Sequence, residues 1–178
     1  MALLFLIIGI ASLAISYYFY SKKEIQYSTP QELSKQKGNN FEDYVIKLLA
    51  NQKDITFAGK VSDYHKNGIS ATENTEPDLK FKYQQRSFAV ECKWRNSFKN
   101  GNIEWAKSYQ IRNYIRYQAE KKEKVFVAIG IGGKSDAPEE LFLVPLYRLP
   151  KEFANESYIK EFKIENPNQL LHLLKKSF

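Results

Sequence analysis

Three charged residues, Asp78, Glu91 and Lys93, are spaced so that one hairpin would bring them together. Asp78 follows Glu76-Pro77, and Glu91 and Lys93 stand in Phe88-Ala89-Val90-Glu91-Cys92-Lys93-Trp94. The two carboxylates are 13 positions apart, and between them lies the polar stretch Tyr83-Gln84-Gln85-Arg86-Ser87. If both flanks are strands, a turn centred near Gln84-Gln85 returns Asp78 to the side of Glu91. Side chains two apart on a strand share a face, so Glu91 and Lys93 point the same way. Two hard oxygen donors suit Mg²⁺, and an ammonium beside them can orient or activate a water. That is chemistry for cutting phosphodiesters.

Pro77-Asp78 followed by Glu91-Cys92-Lys93 resembles the PD-(D/E)XK motif of the restriction-endonuclease-like nuclease superfamily. Gly38-Asn39-Asn40-Phe41-Glu42 resembles the opening of that superfamily's first core helix, which carries a glutamate facing the site. Gln110 and Tyr114 match the Gln-x-x-x-Tyr element of its RecB-like and resolvase-like members. These pieces keep the superfamily's order over residues 38 to 131, about half the chain. The departures are a Gly-rich run reduced to Gly68 and the residues 71–76 that intervene before Asp78.

The resemblance implies a restriction-endonuclease-like α/β core, a mixed central sheet flanked by helices with the site at one sheet edge. It implies Asp78 and Glu91 as metal ligands. The backbone carbonyl of Cys92, and Glu42 directly or through water, would complete the shell. Lys93 would act on the attacking water, and Gln110 and Tyr114 would hold the lysine or the substrate. The implied activity is metal-dependent hydrolysis of DNA, by an endonuclease rather than an exonuclease. Mg²⁺ is the implied cofactor, with Mn²⁺ as a substitute. Lys93, Arg95, Gln110, Arg112 and Arg116 would meet DNA, and a homodimer is compatible with the pattern.

Blander readings stand beside these. An Asp-Glu-Lys set on a hairpin is often a solvated sheet face, Tyr114 at helical spacing can be core, and Arg112 and Arg116 can solvate an outer face. The fold could also be intact but inactive, a nucleic-acid-binding or partner-binding domain tethered at a membrane. Phe88, Val90, Cys92 and Trp94 read as a core face, so Cys92 reads as a packing residue before a reactive thiol.

The supporting elements follow from periodicity. Asn40 can cap a helix carrying Phe41, Tyr44, Val45, Leu48 and Leu49. Strands are expected at 55–61, 79–83, 87–94, 125–131 and 141–146, and helices at 103–122 and 168–176. Asp63 to Thr75 reads as a loop.

Residues 2–20 carry no charge and end in Tyr17-Tyr18-Phe19-Tyr20, with Lys22 and Lys23 following. Nineteen helical residues span about 28 Å, close to the hydrocarbon thickness of a bilayer. We expect a transmembrane anchor at 1–21, a linker at 22–37 with room for a short helix after Pro30, and the nuclease-like domain at 38–178. A cleaved signal peptide and a buried core helix are the alternatives, the first lacking a basic leading region. The flanking lysines place the C-terminal domain of a single-pass protein in the cytoplasm. All of the +7 net charge lies after Tyr20, which favours DNA or anionic lipid as partner. One cysteine excludes an internal disulfide. His65 and His172 are too far apart in sequence for a zinc pattern, and no motif for a small organic cofactor is present.

Overall fold

A computed structural model describes Ser12, residues 29–61 and residues 75–178. The chain divides into two units, residues 1–33 and 34–178. The expected anchor at 2–20, His65, Gly68 and nearly all of the expected 63–75 loop lie outside the described residues. Among the described residues no helix is long and apolar enough to cross a membrane.

Thr29-Pro30-Gln31-Glu32 starts the first long helix. The Thr29 N–H donates to Glu32 Oε2 at 2.7 Å and the Glu32 N–H donates to Thr29 Oγ1 at 3.2 Å. This reciprocal box satisfies two orphan donors, and Pro30 occupies the position where a missing N–H costs nothing. Helix α1 then runs Pro30–Ala50. It starts well upstream of the expected cap, so Asn40 lies inside the helix. Phe41, Val45 and Leu49 form its buried stripe, each worth ~1.5–3 kcal/mol against exposure.

Strands β1 (Ile55–Lys60), β2 (Leu79–Tyr83) and β3 (Arg86–Arg95) form an antiparallel meander. The turn between β2 and β3 is Gln84-Gln85, with Gln84 in the left-handed region at φ 55°. Two further strands, β5 (Lys124–Ile131) and β6 (Glu140–Pro145), complete a five-stranded sheet ordered β1-β2-β3-β5-β6. β3 and β5 are parallel and β5 and β6 antiparallel, so the sheet is mixed.

The expected helix from Ile103 is corrected. Asn102–Glu104 is strand β4, paired with β7 (Phe153–Asn155) in a separate ribbon. The Trp105 N–H donates to Glu152 O at 3.0 Å and its indole N–H to Lys151 O at 2.7 Å. Long-range pairing thus holds this stretch extended, and helix α2 begins only at Ser108, running Ser108–Lys121. A short helix α3 (Glu156–Ile159) and the C-terminal α4 (Pro167–Ser177) follow. Asn166 caps α4 by accepting the Gln169 N–H at 3.1 Å.

Each sheet face has its own apolar layer. One joins Phe41, Val45 and Leu49 of α1 and Leu170 and Leu174 of α4 to Leu79, Phe81, Phe88, Val90 and Phe126. The other joins Ile111, Tyr114 and Tyr117 of α2 to Ala89, Val127, Ile129 and Val144, with Trp105. β3 is therefore covered on both sides, and any charge on it must be satisfied locally.

Candidate active site

β3 carries the centre of the site. Its alternation sends Phe88 and Val90 into the α1 layer and Ala89 into the α2 layer. Glu91 and Lys93 continue the Ala89 side. Glu91 is only 2 % exposed, a position a carboxylate occupies only with compensation. Lys93 supplies part of it: its Nζ lies 2.5 Å from Glu91 Oε1. The other oxygen, Glu91 Oε2, is buried and makes no hydrogen bond among the described residues.

Asp78 joins from the start of β2. Its Oδ2 accepts the Cys92 N–H at 2.8 Å, which fixes the carboxylate against the middle of β3. Its backbone oxygen accepts the Val61 N–H at 2.8 Å, which ties it to the end of β1. On either side of it, Glu76 and Lys80 pair, with Lys80 Nζ 3.0 Å from Glu76 Oε2 and 3.7 Å from the Tyr117 ring centroid. The Tyr117 hydroxyl in turn donates to Glu123 Oε2 at 2.5 Å. The segment 76–80 is thereby pinned to α2 on the same side as Glu91.

The electrostatics follow from this crowding. Burial first, and then Glu91, push the Asp78 carboxyl well above the usual carboxylate range, with Glu42 adding to the effect. Lys93 and the Cys92 N–H pull the other way without prevailing. Burial opposes the charge on Lys93, but Glu91 and Asp78 outweigh it and hold the ammonium above its ordinary value. Lys93 therefore keeps its proton and acts as a fixed cation. Burial and then Glu91 drive the Tyr114 phenol far up, so it also stays protonated where it faces Glu91. Burial does the same to the Cys92 thiol, ahead of Asp78, Glu42 and Glu91. A thiol so placed is not a nucleophile.

Glu42 reaches this neighbourhood from α1. Its Oε2 lies 2.8 Å from Lys60 Nζ, and its charge is felt at both Asp78 and Cys92. The structure thus gathers Asp78, Glu91, Lys93 and Tyr114, with Glu42 near enough for its charge to act on Asp78 and Cys92. Lys60 belongs to the same cluster and was not singled out from the sequence; it precedes Asp78 by a long stretch, and no motif marks it.

The remaining expected residues are engaged differently. Gln110 Oε1 accepts the Lys107 N–H at 3.0 Å while the Gln110 N–H donates to Lys107 O at 2.9 Å, so its side chain caps α2. Arg112 and Arg116 are exposed, the latter donating to Asn113 Oδ1 at 2.6 Å. Arg95 donates to Glu104 O at 3.0 Å and to Trp94 O at 2.9 Å, tying β3 to β4. It lines a groove of about 260 Å³ with Ser97, Lys99 and Asn102.

A hard divalent cation fits this donor set. The buried Glu91 carboxylate, with one oxygen on Lys93 and the Tyr114 hydroxyl facing it, stands near the half-buried Asp78 carboxylate held off its ordinary ionisation, and two hard oxygen donors so placed suit a cation. Among the described residues no group of three or more His, Cys, Asp or Glu side chains is arranged to hold a metal ion, so the side-chain donors here are the two carboxylates alone. Asp78 and Glu91 would be the direct ligands.

The comparisons bear on the fold. No family model matches the chain, and no curated protein matches it. Among solved structures it is similar to Hjc, a Holliday junction resolvase from the archaeal hyperthermophile Archaeoglobus fulgidus. The TM-score is 0.53 at 13 % identity, covering 69 % of this chain and 92 % of that one. The chain has a resolvase-like fold. The expected α/β core with a mixed sheet flanked by helices is the core observed.

Proposed function

We propose that this chain is a divalent-metal-dependent nuclease that hydrolyses DNA phosphodiester bonds as an endonuclease, held at a membrane by residues 2–20. One observation carries the chemistry: Glu91 is buried between the Lys93 ammonium and the Tyr114 hydroxyl, beside an Asp78 pinned by the Cys92 N–H. Such an arrangement is costly unless a cation and an anionic substrate use it.

Asp78 and Glu91 would hold Mg²⁺ or Mn²⁺, with Glu42 and the Cys92 carbonyl as further donors. The ion supplies Lewis acidity at the scissile phosphate. Lys93, fixed on Glu91 and protonated, orients the attacking water and offsets charge developing on the phosphoryl oxygens. Tyr114 keeps Glu91 in place by facing it with a hydroxyl that does not ionise. Four-way branched DNA is the first substrate to try, given the similarity to a junction resolvase.

The deciding assay uses four-way, linear duplex and single-stranded DNA with Mg²⁺, Mn²⁺ or EDTA. Cleavage is expected only with metal, and Asp78→Asn or Lys93→Ala should reduce it by at least ~10²-fold. Wild-type rates from either variant would sink this reading. Metal-independent binding without cleavage by the wild type would replace it with that of a tethered binding domain.

A further inference from the structure

β1 and β2 pair in one register from Ile55 to Phe57 and in another from Gly59 to Lys60, leaving Ala58 as an extra residue. Paired residues share a face, so this bulge decides where Lys60 points. Continued without it, the register of Phe57 with Phe81 would set Lys60 opposite Asp78, on the α2 side. With the bulge, Lys60 stands opposite Leu79, which belongs to the α1 layer. There its Nζ lies 2.8 Å from Glu42 Oε2 and 3.8 Å from Asp43 Oδ1. The next residue, Val61, donates its N–H to the backbone oxygen of Asp78. One bulge thus aims a lysine at the helix carboxylate and ends the strand on the motif aspartate. Bulges beside active sites commonly serve to re-aim a side chain.

We propose that Lys60 is a positioning residue: its ammonium clamps the Glu42 carboxylate at the end of the sheet that carries Asp78. The proposal deepens the nuclease reading and rests on it for the role of Glu42. The clamp acts on Glu42 and not on DNA. Its loss should therefore appear in turnover and in metal binding, and not in the affinity for substrate.

The test uses the full-length protein and the variants Lys60→Met, Lys60→Gln, Lys60→Arg, Glu42→Gln and the Lys60→Met/Glu42→Gln double. Two quantities are read: kcat and KM for Mg²⁺-dependent cleavage of a four-way junction, and the Mn²⁺ concentration giving half of the maximal thermal shift. Lys60→Met is expected to lower kcat about tenfold with KM within about twofold, as loss of a positioned group does. Lys60→Arg should restore most of that loss. In the Glu42→Gln background, Lys60→Met should add less than about twofold, and the Mn²⁺ midpoint should move by the same amount in both singles and the double. Fully multiplicative losses, a pure KM effect or wild-type behaviour of Lys60→Met would each overturn the clamp. Lys60→Gln keeps the test open if the methionine variant folds poorly. If the wild type cleaves no DNA, the nuclease reading falls, and non-additive Mn²⁺ midpoints would still support the clamp. If the wild type cleaves and the two substitutions are additive, the clamp alone falls.

Discussion

Asp78 shows how ionisation at one residue couples the site to folding. Its folded pKa is raised, by burial first and then by Glu91. A group of that kind stabilises the fold fully below its unfolded value, near 3.8, and loses that contribution as pH rises through the raised value. At pH 8 in EDTA the Asp78 carboxylate is thus a destabilising charge. Asp78→Asn removes it and keeps an oxygen for the Cys92 N–H. We expect the metal-free variant to gain ~1 kcal/mol, about 2–4 °C in Tm, at pH 8. The gain should shrink at pH 5, where the wild-type carboxyl is more nearly protonated. Calorimetry at the two pH values checks the sign, and a lower Tm for the variant at pH 8 would refute it. Because a cation competes with a proton for this oxygen, the Mn²⁺-induced thermal shift of the wild type should grow from pH 6 to pH 8. Lys93→Ala is the opposite case. It leaves Glu91 buried without its cation, and should cost ~3 kcal/mol in the metal-free protein.

Helix α1 is the element that carries Glu42, and its seat on the sheet is narrow. A methyl group at Gly130 would stand 2.4 Å from Phe41 Cε2, so the ring lies directly on the β5 backbone. Gly130→Ala must push α1 away or force Phe41 out of its rotamer, at a cost of ~1–3 kcal/mol. Since Glu42 is the next residue, cleavage should fall as well. Phe41→Leu on top of Gly130→Ala makes room and should recover part of both losses, which thermal unfolding and turnover would show together. The hairpin that brings Asp78 to β3 was legible because it is local: period-two alternation on both flanks and a polar turn at Gln84-Gln85. Tyr114 entered through its match to the Gln-x-x-x-Tyr element, of which only the tyrosine faces Glu91 while Gln110 caps α2. The continuity of α1 was missed: Pro30 suits the start of a short helix, but Gly38 and Asn40 look like a boundary, and one helix runs through both from the Thr29/Glu32 box. The stretch after Ile103 fits a helical period by composition, but its pairing with β7 depends on residues some fifty positions away. Lys60 was invisible for a sharper reason. Its direction is set by one bulged residue, and strict alternation would have turned it to the other face.

Across the whole molecule, the +7 net charge sets how the site meets a polyanion. The local site is not itself strongly positive: Asp78, Glu91, Glu42 and Asp43 stand against Lys93 and Lys60. For the proposed DNA substrate, attraction must therefore come from the surroundings, and two regions are worth separating. One is the groove beside the end of β3, where Lys99 joins Arg95, Ser97 and Asn102. The other is the outside of α2, where Arg112 and Arg116 are exposed. Helical geometry separates the two. At about 100° per residue, Arg112 lies roughly 200° from Tyr114, the residue that α2 turns toward Glu91. Lys99 sits instead on the connection that leaves β3 just after Lys93 and Arg95. Each phosphate neutralised adds about 0.9 to the slope of log affinity against log salt. Lys99→Ala is expected to lower that slope by about 1 in EDTA, and Arg112→Ala by less than half as much. Fluorescence anisotropy of a labelled four-way junction from 50 to 300 mM NaCl measures both slopes. Equal effects would put the outer face of α2 on the DNA path, and a larger effect for Arg112 would move the path there altogether.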